Sequence, residues 1–139
     1  MKKKHIDYFM KVAYDTAELS YAKRKKVGVV AVKNNAIIAA AYNGTPPDFE
    51  NECEDIVDEK LVTKPEVIHA EMNLIAQLAK SSASSDGCSV FSTYSACMDC
   101  AKLMIASGVK EFYYDEIYRD ISPLEFLIKN GVKVQQWIG

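Results

Sequence analysis

Three side chains that bind soft divalent metals stand in two short segments, His69-Ala70-Glu71 and Cys97-Met98-Asp99-Cys100. One neutral imidazole with two thiolates is the protein part of a catalytic zinc site, which keeps a position for water; a structural site takes four protein ligands. Two thiolates roughly cancel the charge of Zn²⁺. The ion still acts as a Lewis acid and lowers the pKa of bound water to about 7, so hydroxide is available at neutral pH. Glu71 is better suited to carrying protons for that water than to ligation, since the hydroxide otherwise has no shuttle.

These residues need elements that bring them together. Glu71 to Lys80 is rich in good helix formers, and Pro65 keeps the incoming chain extended, so His69 and Glu71 are expected at a helix N-terminus. Cys97 and Cys100, three apart, open a second helix that runs to about Ser107 and is stopped by Gly108. Two positive helix ends converging on the metal would favour thiolates there.

Other chemistry fits the cysteines less well. A C-x-x-C pair can be a redox couple, but no thioredoxin-like strand-helix-strand context precedes it, and His69 and Glu71 would have no role. A closed structural site would need a fourth ligand, Cys53 or Cys88. Cys88 begins an apolar run through Thr93 that reads as a buried strand, which suits packing. Cys53 lies in an acidic loop, where either role is open. His5, in a Lys-rich stretch, reads as a solvated surface residue.

With 139 residues, 49% of them apolar, the chain reads as one domain, residues 1–139, with a sizeable core. No apolar run is long enough to span a membrane. The basic start, Met1 to Lys4, leads into an amphipathic helix rather than a signal peptide. Cysteines at ligand spacing suit a reducing compartment, so a cytoplasmic location is expected. The net charge of −2 conceals an asymmetry: nine Lys/Arg against three Asp/Glu through Lys33, and eight against sixteen after it. The basic part peaks at Lys23-Arg24-Lys25-Lys26, on a loop before a strand, where a phosphate could be held. An acidic protein is a poor candidate for broad nucleic-acid binding.

Periodicity assigns the remaining elements. Ile6, Phe9, Met10, Ala13, Ala17 and Tyr21 recur at helical spacing, predicting a helix from about Ile6 to Tyr21. Val27–Val32 and Ala36–Tyr42 read as a hairpin turning at Asn34-Asn35. Asn43 to Pro47 starts a long polar connection to Glu66, with a short helix around Glu54 to Leu61; a loop of that length suggests function. The Ser81–Gly87 link, strands at Cys88–Thr93 and Lys110–Asp115, a helix from Pro123 to Asn130 and a strand from Val132 to Ile138 complete the chain. A hairpin followed by strand–helix alternation implies a mixed sheet of about five strands, covered on both faces.

H-x-E followed by P-C-x-x-C is the signature of zinc deaminases acting on bases, matched here except that Ala96 stands at the Pro position. From about Tyr14 to the C-terminus the chain resembles the cytidine deaminase-like superfamily, and within it the deoxycytidylate (dCMP) deaminase family. Ser20, Arg24, Val27 and Gly28 resemble its S-x-x-x-R-x-x-V-G segment, Tyr42 to Pro46 its Y-N-G-x-P loop, and Asn51 with Cys53-Glu54-Asp55 its N-x-C-E segment. Lys64 to Asn73 is similar to its approach to the metal helix, and Tyr118-Arg119-Asp120 to its Y-x-D segment. Ala22 stands where many relatives have Cys, and no glycine-rich insertion of the kind tied to allosteric nucleotides is present.

The resemblance implies a three-layer α/β/α cytidine deaminase-like fold with a mixed five-stranded sheet, and zinc-dependent hydrolysis of dCMP to dUMP and ammonia, supplying dTMP synthesis. In its terms His69, Cys97 and Cys100 bind one Zn²⁺ and Glu71 is the proton shuttle. Asn43 would hydrogen-bond the sugar; Arg24, with Lys23 or Lys26, would meet the 5′-phosphate; Tyr118 would line the base or sugar pocket. Thr45, Ala70 and Ser95 complete the implied substrate contacts. Family members are usually homo-oligomers, often hexamers, and many respond to dCTP and dTTP with Mg²⁺. The alternatives are deamination of dCTP, a modified dCMP, a nucleoside or a tRNA adenosine, and a structural zinc domain used in assembly.

Overall fold

The computed structural model describes residues 1–139. Helix α1 (Lys3–Ala17) leads to strand β1 (Gly28–Lys33), which turns into β2 (Ala36–Tyr42). A separate hairpin, β3 (Glu54–Val57) and β4 (Lys60–Thr63), precedes α2 (Ala70–Ala79). Then follow β5 (Ser89–Tyr94), α3 (Met98–Ala106), β6 (Glu111–Glu116), α4 (Ser122–Lys129) and β7 (Lys133–Gln136).

The main sheet has the order β2-β1-β5-β6-β7. β1 is antiparallel to both β2 and β5, and β5, β6 and β7 are parallel, so the sheet is mixed as expected. Strand β1 is apolar almost without interruption because both faces of the sheet are covered, and β5 buries its Ser and Thr side chains along with its apolar ones. Alternate side chains of β1 feed different layers. Val30 and Val32 meet Ile6, Phe9, Met10 and Ala13 of α1. Val29 and Ala31 belong to the core of the opposite face, which also takes Leu74 of α2, Met104 of α3 and Leu127 of α4. One helix therefore covers one face and three cover the other, giving three layers.

The first of these layers is unusually tight at Gly28. A Cβ there would stand 2.0 Å from the Ala13 carbonyl oxygen and 2.5 Å from the Ala17 nitrogen. Only glycine lets α1 lie against the start of β1.

Two expectations are corrected. The first helix stops at Ala17 rather than Tyr21, whose side chain is exposed. Beyond it the Ser20 hydroxyl donates to the Asn43 carbonyl and accepts from the Ala22 N–H, drawing the chain off the helical path. Glu54 to Leu61 is not a helix. It is most of the β3–β4 hairpin, which turns at Asp58-Glu59 with φ of 50° and 65°. Positive φ at both turn residues is the two-residue geometry whose twist matches paired strands.

The topology gathers chain ends at one edge of the sheet. Because β1 is antiparallel to β5, the entry to β1 and the exit from β2 lie beside the exits from β5 and β6. Open α/β sheets form crevices for ligands at such an edge.

Candidate metal centre and active-site cleft

His69 is the N-cap of α2 and Cys97 the N-cap of α3, both with extended backbone and neither with a side-chain cap. The approach to His69 is fixed by paired hydrogen bonds between Gly44 and Ile68, at 3.1 and 2.8 Å. Asn73, one turn into α2, donates from Nδ2 to the Tyr42 carbonyl at 2.9 Å, tying the helix to the end of β2. Two helix N-termini thus converge, and their unpaired N–H groups favour negative charge between them.

The His69 Nδ1 lies 3.3 Å from the sulfur of Cys100 and 3.3 Å from that of Cys97. All three donor atoms fall within 4.8 Å of one another. Tetrahedral zinc with ordinary Zn–N and Zn–S bonds would set nitrogen and sulfur about 3.6 Å apart, so the donor set fits this ion. Neither Cys53 nor Cys88 joins the group. Cys88 is buried in the core beneath α2 and α3, and Cys53 lines the neighbouring cleft. The closed four-ligand arrangement is therefore not formed.

Electrostatics within the group separate the two thiols. Hydrogen bonds from Cys100 and His69 hold Cys97 as a thiolate, its pKa down to about 4. Cys100 retains its proton against that thiolate and is pushed up by burial as well. Metal binding would displace this proton. Hydrogen bonding to Cys97 raises the pKa of His69.

Glu71, in the first turn of α2, is 5% exposed. Burial raises its pKa to about 7, with the Cys97 thiolate adding to the effect. A carboxylate poised near neutrality can both take and give a proton.

These residues open onto a cleft of about 330 Å³. Of the residues singled out in the sequence, Arg24, Asn43, Ala70, Ser95 and Tyr118 line it with His69, Glu71 and Cys97. Cys100 lies behind its wall. Asn43 Oδ1 accepts from the Val27 N–H at 2.9 Å and Nδ2 donates to the Lys25 carbonyl at 2.8 Å, so the amide braces the loop entering β1. Ser95 Oγ accepts the Tyr118 N–H, and the Tyr118 ring stands edge-on to Tyr94 at 5.6 Å.

Two of the singled-out residues lie elsewhere. Lys26 is outside the lining and faces Glu18 at 4.0 Å. Thr45 lines an adjoining hollow with Tyr42, Pro46 and Asn73, separated from the cleft by Cys53. In place of Lys26 the cleft has Lys25, which pairs with Glu116 and lies 4.8 Å from the centroid of the Tyr94 ring. Arg119, Glu54 and Thr63 also line it. Lys25 stands in the same basic run as Arg24, and nothing in the sequence separates it from Lys23 or Lys26. Arg119 and Glu54 lay inside the family-like segments, but nothing in the chain marked Thr63.

Comparison with known proteins agrees with this geometry. The family model for the cytidine and deoxycytidylate deaminase zinc-binding region matches residues 3–116. The human protein named deoxycytidylate deaminase is 38% identical over 124 residues, covering 82% of this chain and 66% of the relative. ComE operon protein 2 of Bacillus subtilis is 33% identical, covering 93% of this chain and 69% of that protein. The crystal structure of dCMP deaminase from the cyanophage S-TIM5, in complex with dCMP and dUMP, superposes with a TM-score of 0.91 at 40% identity and covers 98% of both chains. The chain spans about two thirds of the length of the human relative. Matched along most of its length, and with a zinc-compatible ligand group where two helices meet, the chain belongs to the cytidine and deoxycytidylate deaminase family.

Proposed function

We propose that the chain hydrolyses dCMP to dUMP and ammonia with one Zn²⁺ held by His69, Cys97 and Cys100. The observation that carries this reading is the buried carboxylate of Glu71 beside that ligand group, in a cleft that also presents Arg24. The relatives named above support the substrate. When bound, zinc supplies a Lewis acid that activates water. Glu71 takes a proton from the attacking water, gives it to N3 of the cytosine, and carries a second proton to the departing amine, which leaves as ammonia. Arg24 meets the 5′-phosphate, with Lys25 rather than Lys26 as the second cation. Asn43 faces the sugar. Tyr118, Ala70 and Ser95 line the space for base and sugar, and Thr45 supports them from behind Cys53.

The exposed apolar residues of the β3–β4 hairpin, Ile56, Val57, Leu61 and Val62, support assembly into a homo-oligomer; a hexamer is what the family resemblance favours. Regulation by dCTP and dTTP with Mg²⁺, and action on free nucleotides in the cytoplasm without stable nucleic-acid binding, belong to the same reading. No helix is long and apolar enough to cross a membrane.

The test is ammonia release by zinc-loaded protein with dCMP, dCTP, deoxycytidine and cytosine in parallel. Selective turnover of dCMP is expected. Glu71→Ala should keep its zinc and lose about 10²- to 10⁴-fold in rate; full turnover in that variant would remove Glu71 from the reaction. Arg24→Ala should raise KM for dCMP far more than for deoxycytidine, and an equal effect on both would refute the phosphate assignment.

A further inference from the structure

Glu54 is a carboxylate at 7% exposure that forms no ion pair within 4 Å. A buried carboxylate must be satisfied by something. Its Oε2 accepts two backbone N–H groups from a segment about thirty residues earlier, that of Lys23 at 2.8 Å and that of Arg24 at 3.0 Å. Directly across the hairpin, in register with Glu54, stands Thr63. Its Oγ1 accepts from Arg24 Nη1 at 3.0 Å. One cross-strand pair thus grips the same arginine at both ends, Glu54 at the backbone and Thr63 at the guanidinium. All three residues line the cleft.

We infer that Glu54 and Thr63 are a positioning pair that holds Arg24 ready for the 5′-phosphate and so determines the preference for nucleotide over nucleoside. The inference rests on the phosphate role of Arg24 proposed above. A free arginine side chain loses rotamer freedom when it closes on an anion; one already held at backbone and tip loses less, and the saving appears as affinity. The guanidinium keeps four further N–H donors after its bond to Thr63, so the grip does not consume its capacity for phosphate. The side-chain hydrogen bonds of the pair go to Lys23 and Arg24 and not to the metal ligands or Glu71, so its effect is on binding rather than on the chemical step.

The experiment measures kcat and KM for dCMP in zinc-loaded native protein, Thr63→Val, Glu54→Gln, Glu54→Ala and Arg24→Ala. Deoxycytidine is followed by its own kcat/KM or by its inhibition constant against dCMP. Thr63→Val should raise KM for dCMP about tenfold with little change in kcat or in deoxycytidine recognition. Glu54→Ala should do the same, and Glu54→Gln, which keeps an acceptor oxygen, should restore most of the loss. Zinc content and melting temperature report whether each variant folds; if Glu54→Ala does not, Thr63→Val decides. Native KM for dCMP in Thr63→Val, with Arg24→Ala selectively impaired on dCMP, would overturn the positioning role and leave the phosphate reading standing. Equal impairment of Arg24→Ala on both substrates would overturn the two together.

Discussion

Replacing Gly28 by alanine perturbs first the joint between α1 and the sheet. The added methyl would meet main-chain atoms of Ala13 and Ala17, at 2.0 and 2.5 Å, and not the far end of a flexible side chain. Helix and strand must part by about 1 Å before the contact becomes tolerable, and a gap of that size forfeits a quarter to a half of the dispersion attraction across it. The layer affected holds Ile6, Phe9, Met10 and Ala13 against Val30, Val32, Phe91 and Tyr113. Overpacking against rigid neighbours costs about 3 kcal/mol, and the lost packing adds to it. For a domain of this size that corresponds to a fall in Tm of roughly 10 °C. Gly44→Ala is the control, since a Cβ there meets nothing within 4 Å; its stability should stay within about 0.5 kcal/mol of native. Urea and thermal unfolding of both variants, zinc-loaded, make the comparison. A Gly28→Ala protein as stable as Gly44→Ala would refute the close-approach argument.

Cys97→Ser and Cys100→Ser should each lose bound zinc, while Cys53→Ser and Cys88→Ser retain it, as read by metal analysis after dialysis; zinc loss in Cys53→Ser would mean the ligand group is misassigned. Burial and Glu111 raise the Tyr113 hydroxyl to about 12, from an ordinary value of 10. Because the folded value is the higher one, this contribution to stability is complete below about pH 10 and is lost as pH climbs toward 12. Denaturation midpoints should fall across that window and fall less in Tyr113→Phe; parallel curves would exclude the tyrosine as a source.

Local signals and long-range ones were not equally legible in the chain. The metal ligands were readable because ligation demands particular atoms at particular spacing. Strands β1 and β2 were readable because they are apolar almost throughout, and β5 and β6 because they concentrate Val, Thr, Phe and Tyr. The Asn34-Asn35 turn was visible since Asn tolerates positive φ, here 52° and 59°. The Asp58-Glu59 turn uses similar dihedrals with no glycine or asparagine to announce it, and the short apolar stretches around it suited helix and strand alike. Which of four consecutive basic residues faces the cleft was hidden for another reason. The orientation of that loop is imposed by Glu54 and Asn43, partners 30 and 18 residues distant from the Arg24 and Lys25 backbones they hold.

The division of the ligand group between two helix starts bears on the order of folding events. His69 is separated by 28 residues from Cys97 and by 31 from Cys100. Between them lie all of α2 and β5, and β5 occupies the middle of the sheet between β1 and β6. The donors therefore meet once β5 has taken its place beside β1, which lies about sixty residues earlier in the chain, a non-local event that is slow compared with helix formation. Tight zinc capture becomes a late marker of folding and not its nucleus, and a ribosome-bound chain shorter than about Cys100 has no complete site to offer. Stopped-flow refolding in the presence of a zinc indicator should show metal uptake trailing the helical signal; uptake that precedes it would mean the ligands associate before the sheet is built.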